Sequence, residues 1–157
     1  MKLSGRTDIA APMAFVFDHF ADFEGWERAA MRRGADVART DKLTRPGPGM
    51  GWHLRFGYRG RERELQVMLK RLERPEHIVF AALGPIIEGG TTIELMELSA
   101  KRTRVIVQME IKARTLGARI FLQSLKLAKS RVTAQFDKRL TQLARDVEAH
   151  HAAAAQG

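Results

Sequence analysis

The sequence predicts an α+β fold: a curved antiparallel sheet of about six to seven strands wrapped around one long C-terminal helix, with two short helices after strand 1. Three observations lead there. Apolar and polar residues alternate from Trp52 to Tyr58 and again from Arg104 to Lys112, the period of half-buried strands. Short links join the strand candidates between Val37 and Lys112, which implies antiparallel pairing. From Leu116 to about Glu148, Phe121, Leu125, Val132, Phe136, Leu140, Leu143 and Val147 recur at helical spacing with no proline between them.

Each element has its own justification. Residues 3–9 are short and extended, and Pro12 suits the first turn of a helix because its missing N–H would be unpaired there. Met13, Val16, Phe17 and Phe20 then give a short amphipathic helix over 12–20. Asp22 can cap a second helix to about Ala30, with Gly34 as its stop. Val37–Thr40 is a modest strand, followed by a proline- and glycine-rich loop over 44–51, expected to be flexible over a pocket mouth. The strand from Trp52 to Tyr58 turns at Arg59-Gly60 and returns through Leu65, Val67 and Leu69. Further strands are expected over 78–83, 91–98 and, after Ala100-Lys101-Arg102, through Val105, Val107, Met109 and Ile111. The predicted domain is 1–149, and 150–157, with nothing to pack against, is expected to fray.

Composition narrows the chemistry. The 157 residues contain no cysteine, which excludes disulfides, thiolate metal sites and cysteine nucleophiles. The five histidines show no metal-ligand spacing, so neither a metal nor a cofactor is expected. Gly47, Gly49 and Gly51 lack the following Gly-Lys-Ser/Thr of a phosphate cradle, and no nucleophile elbow or triad order occurs. No apolar run approaches membrane-spanning length and no signal peptide is visible, so a cytoplasmic location is expected. The net charge is +9. Between Lys101 and Arg145 twelve bases face only two acids, Glu110 and Asp137. That segment could meet an anionic membrane surface or RNA, or could simply be a solvated face.

A long helix lying in a curved sheet need not touch it everywhere, and the gap would be an apolar cavity. Its candidate lining from the sheet is Trp52, Leu54, Phe56, Tyr58, Phe80, Val107 and Met109. From the helix it is Phe121, Leu125, Lys129, Val132 and Phe136. Plain core packing is the alternative for each of them. Lys129 stands out, because counting 100° per residue from Phe121 puts its ammonium inside the apolar stripe. There it would meet an acidic ligand, snorkel to the rim, or pair with Glu94 or Glu110.

The segments Asp8-Ile9-Ala10-Ala11-Pro12-Met13-Ala14-Phe15-Val16-Phe17 and Asp22-Phe23-Glu24-Gly25-Trp26 resemble the opening of the START-like (SRPBCC) superfamily, in its polyketide cyclase/dehydrase and lipid-transport branch. Thr103-Arg104-Val105 and the terminal helix extend the likeness. The resemblance implies a helix-grip fold around a pocket for a lipid, polyketide, quinone or other aromatic molecule. It carries no universal catalytic residues. The expected activity is non-covalent binding or carriage of such a molecule by a monomer or homodimer. A cyclase or dehydrase using the same pocket and a basic module for ribosomal RNA or anionic membrane are the alternatives.

Overall fold

The computed structural model describes residues 1–156. Its elements are β1 (Lys2–Ile9), α1 (Met13–Phe20), α2 (Phe23–Arg32), β2 (Asp36–Arg39), β3 (Gly51–Tyr58), β4 (Arg61–Glu73), β5 (His77–Leu83), β6 (Ile87–Ser99), β7 (Arg102–Ala113), α3 (Leu116–Leu127) and α4 (Lys129–Gln156). Seven antiparallel strands form one sheet in the order β1-β7-β6-β5-β4-β3-β2. This is the curved sheet and C-terminal helix expected of a helix-grip fold.

Local chemistry sets the boundaries. The Asp22 carboxylate accepts the Gly25 amide (3.1 Å) and caps α2. Arg59 and Gly60 both adopt positive φ, 52° and 73°, the backbone a two-residue hairpin requires. The 40–50 loop differs from the flexible flap expected of it. Gly49 N–H donates to the Leu69 carbonyl (2.9 Å), Leu69 N–H to Met50 (2.8 Å), and Met50 is buried in the core. Asp41 fixes the other end by accepting the Leu43 (2.9 Å) and Gly51 (2.8 Å) amides.

β6 begins at Ile87, earlier than the expected Thr91, because Gly89 and Gly90 lie within the strand instead of forming a turn. A Cβ on Gly89 would stand 2.2 Å from the Glu110 carbonyl oxygen, so that position admits only glycine.

The single long helix of the sequence reading is divided at Ala128 (φ −105°, ψ 27°). α4 lies over β1, where Gly5 gives it room: a Cβ there would stand 2.7 Å from Leu140 Cδ1 and 3.0 Å from a Phe136 ring carbon. The expected frayed tail also differs. α4 continues as helix to Gln156, because His150 and His151 stack edge-on against Phe15 of α1, with ring centroids 5.4 and 4.8 Å away. Gly157 lies outside the described residues.

Pairing register sorts side chains onto two faces. Leu3, Gly5, Thr7 and Ile9 of β1 share the helix-covered face with Val105, Val107 and Met109 of β7. Thr91, Ile93 and Leu95 of β6, Ile78, Phe80 and Ala82 of β5, Leu65, Val67 and Leu69 of β4, and Trp52, Leu54 and Phe56 of β3 continue that face. The core fills only one end of it. Ile9, Val16, Phe17, Leu69, Ile78, Val105 and Val147 are fully or almost fully buried, and Thr103 donates its hydroxyl to the Ala11 carbonyl (2.8 Å) among them.

Candidate ligand-binding site

At the other end of the inner face the wall changes character. Leu54, Phe56, Leu65, Val67, Phe80, Ala82, Ile87, Ile93, Met109 and Ile111 point inward by register yet are only half-buried. Across from the sheet, Phe121, Leu125, Val132 and Phe136 are half-buried too. Apolar side chains at this packing density would normally be shielded from water. Several of them, Leu54, Val67, Phe80, Ile93 and Phe136, pack against the buried core on one side and keep partial exposure on the other. Over that part of the face α3 packs against β7. There the Arg59 guanidinium, on the β3–β4 turn, lies 4.7 Å over the Phe121 ring and ties the hairpin tip to α3.

The most apolar hollow adjoins α2, an element the sequence reading did not place at the site. It has a volume of ≈ 240 Å³ and is walled by Phe23, Trp26, Ala30, Val37, Trp52, Leu54, Val67 and Phe80, with Glu27 its one polar member. Phe23, Trp52 and Phe80 form an aromatic cluster with centroids 5.6, 6.1 and 6.3 Å apart. Trp52 Nε1 donates to Glu27 (2.8 Å), and Trp26 Nε1 donates to the Phe20 carbonyl (3.1 Å), so both indoles are fixed; Trp52 is buried and Trp26 is 43% exposed. Behind Trp52, the Arg39 guanidinium stands 5.7 Å from the ring centroid. Asp41 holds it through two hydrogen bonds (2.8 and 2.6 Å). Those bonds and the two backbone amides on Asp41 keep its carboxyl far below the usual carboxylate range.

A larger trough of ≈ 900 Å³ runs across the opposite face of the sheet. Its side chains are mostly of the outward set, among them Gln66, Met68, Lys70, Ala81, Gln108, Glu110 and Lys112, and no helix residue touches it. Leu3, Val67, Phe80, Ala82 and Met109 of the inward set also border it, so its lining mixes polar and apolar groups.

The structure therefore separates the predicted lining into groups. Trp52, Leu54 and Phe80 meet in the α2 hollow. Phe56 and Met109 on the sheet, and Phe121, Leu125, Val132 and Phe136 on the helices, are half-buried, while Val107 is in the buried core. Tyr58 is half exposed at the hairpin tip. Lys129 differs most from expectation. It is exposed at the start of α4, because the break at Ala128 resets the helical phase on which its inward placement depended. Glu94 and Glu110 stand on the outward face by register, so neither is its internal partner.

Phe23, Trp26 and Glu27 were missed. Their i, i+3, i+4 spacing was the available signal. Among the described residues no cluster of metal-ligating side chains occurs, and no helix is long and apolar enough to cross a membrane.

Comparison with known proteins agrees with this architecture. Among solved structures, the Zhui aromatase/cyclase from Streptomyces sp. R1128 superposes with a TM-score of 0.66 at 16% identity, covering 94% of this chain and 93% of that one. A protein of Thermus thermophilus gives 0.68 at 15% identity over 96% and 99%. A START superfamily protein from Mycobacterium smegmatis gives 0.57 at 12% over 90% and 98%. At such identities the likeness establishes the fold. No curated protein matches the chain in sequence. The family model described as polyketide cyclase / dehydrase and lipid transport matches residues 1–148, and with that match the chain belongs to this family.

Proposed function

We propose that this protein binds or carries a hydrophobic or amphipathic small molecule on the inner face of its sheet, reversibly and without a covalent step. One observation carries the proposal: a contiguous inward-facing apolar wall stays half open to solvent while the opposite end of the same face is closed core. Burying about 300 Å² of ligand surface at roughly 25 cal/mol/Å² supplies about 7 kcal/mol before the costs of association. Micromolar binding requires about 8 kcal/mol, so a flat aromatic ligand or an acyl chain needs only a few polar contacts in addition. The fixed indoles of Trp26 and Trp52 and the ring of Phe80 favour a planar or chain-like guest. Native mass spectrometry of the purified protein tests this. A co-purified apolar molecule, or saturable uptake of an added one, is expected; a protein that stays empty against a panel of quinones, aromatic polyketides and fatty acids refutes it. A cyclase or dehydrase would use the same walls and would need a polar group placed against the substrate; Glu27 is the polar member of the hollow.

A second reading, contact with an anionic membrane surface, is favoured by α3. Leu116, Ile120 and Leu127 are 71%, 59% and 92% exposed and fall within about 40° of one another on the helix. Arg119 and Lys126 flank that stripe, Lys129 and Arg131 follow it, and all four are exposed. The opposite side of α3 buries Ala118 and Leu122. Apolar residues beside bases suit the interface of a negatively charged bilayer. Sedimentation with phosphatidylglycerol vesicles, abolished in Leu116→Ser/Leu127→Ser, is the expected result. Equal sedimentation of the variant, or a dimer that dissociates on the same substitution, counts against it.

A further inference from the structure

Strand β4 opens with Arg61-Glu62-Arg63-Glu64, and the pleat separates the signs. Arg63 shares the inward set with Leu65, Val67 and Leu69, and its cross-strand partner is the inward Phe56. Glu62 and Glu64 stand on the outward face, where Glu64 Oε2 lies 3.4 Å from His53 Nε2. Arg63 is half-buried, and its Nε is buried with no hydrogen-bond partner. None of the ion pairs among the described residues includes it.

Glu27, the acid of the α2 hollow, is bonded to Trp52, and none of the ion pairs among the described residues joins it to Arg63. On the same face Phe56 lies opposite Arg63 and Leu54 one pair farther along, while β5 joins β4 only from Leu83 and brings Ala82 opposite Val67. The helical cover is without an acid from Ala113 through Phe136. The neighbouring charges at the rim are Arg59, over Phe121, and Arg61, exposed opposite Tyr58. A buried guanidinium N–H without a carboxylate, as at Arg63 Nε, is costly unless an anion arrives with the ligand. Its planar fork suits a carboxylate in particular.

We propose that Arg63 is the head-group anchor of the ligand site and that the guest is a carboxylate-headed amphiphile, its apolar part lying along Leu65, Val67 and Phe80 toward the Trp52 cluster. This inference rests on the inner hollow being a ligand site. It also gives the cation sought at Lys129 a different source, the sheet instead of the helix.

The test is a fluorescence titration with cis-parinaric acid and with its methyl ester, which share a chain and differ in head-group charge. Wild type is expected to bind the acid roughly tenfold or more tighter, the worth of one charge-assisted contact. In Arg63→Met the ratio should fall to about one with ester affinity unchanged, while Arg61→Met at the exposed rim keeps most of the preference. Should Arg63→Met fail to fold, Arg63→Gln is read the same way, with folding checked by circular dichroism. A ratio near one in wild type, or a ratio that survives both Arg63 substitutions, overturns the anchor while the hollow stands. Failure of both probes to bind wild type removes the hollow and the anchor with it.

Discussion

The seat of α4 on β1 depends on a missing side chain, which makes it unusually exposed to test. A Cβ at Gly5 would stand 2.7 Å from Leu140 Cδ1, 3.0 Å from Asp137 Oδ1 and 3.0 Å from Phe136 Cε1. Leu140 is buried and cannot simply swing away. Gly5→Val must therefore push α4 outward or force Leu140 and Phe136 off their rotamers, an overpacking cost of about 1–3 kcal/mol. Valine also favours strands over glycine by up to roughly 1 kcal/mol, which acts in the opposite direction. Gly57→Val separates the two effects, since Gly57 is a strand residue with nothing within 4 Å of the added Cβ. Urea unfolding should show Gly57→Val neutral or slightly stabilised and Gly5→Val destabilised, the pair differing by about 1–3 kcal/mol at unchanged slope. In a melt that difference corresponds to roughly 2–12 °C for a chain of this size. Equal midpoints for the two variants would refute close contact between α4 and β1.

Other expectations follow from the core and its titrating groups. Thr103→Val keeps the shape but strands the buried Ala11 carbonyl, and should cost about 1–3 kcal/mol in urea unfolding. Leu69→Ala, at a fully buried position, should cost about 2–5 kcal/mol. Burial, and then His150 close by, lower the pKa of His19 from its usual 6.5, against the opposing pull of Asp22 and Asp146. The folded state thus resists a proton that the unfolded chain accepts, so stability is complete above about pH 6.5 and is lost as pH falls through the lowered folded value. Urea midpoints between about pH 7.5 and pH 5 should decline more steeply in wild type than in His19→Gln; parallel declines would show that His19 does not carry the effect.

Much of the architecture was legible because its signals are local. Asp22 announces the α2 cap, Arg59-Gly60 the hairpin, and the alternation from Trp52 to Tyr58 a strand whose inward members are the ones register places inward. The division at Ala128 was less visible, since neither glycine nor proline marks it. Its trace is that apolar residues of α3 occupy two opposite sides, Leu116, Ile120 and Leu127 on one and Ala118 and Leu122 on the other, more than one sheet can cover. Extending a helical phase from Phe121 through that break placed Lys129 inside when it is outside. The helical end of α4 depends on Phe15, more than a hundred residues away, and such long-range stacking leaves no local pattern. Arg63 is the opposite case. The Arg-Glu-Arg-Glu alternation at the head of β4 was in plain view, and only the register with Phe56 shows that its arginines face inward.

On the proposed function, the half-open part of the inner face receives an apolar guest. Ala82 sits there between Val67 of β4 and Gly89 of β6, where a larger side chain would occupy the space itself. Titration with the uncharged fluorophore N-phenyl-1-naphthylamine, in wild type and in folded Ala82→Trp, is the direct measurement. Saturable binding at micromolar concentration in wild type, lost when the indole fills the gap, is what the account predicts; absence of binding in wild type, or undiminished binding in Ala82→Trp, would contradict it.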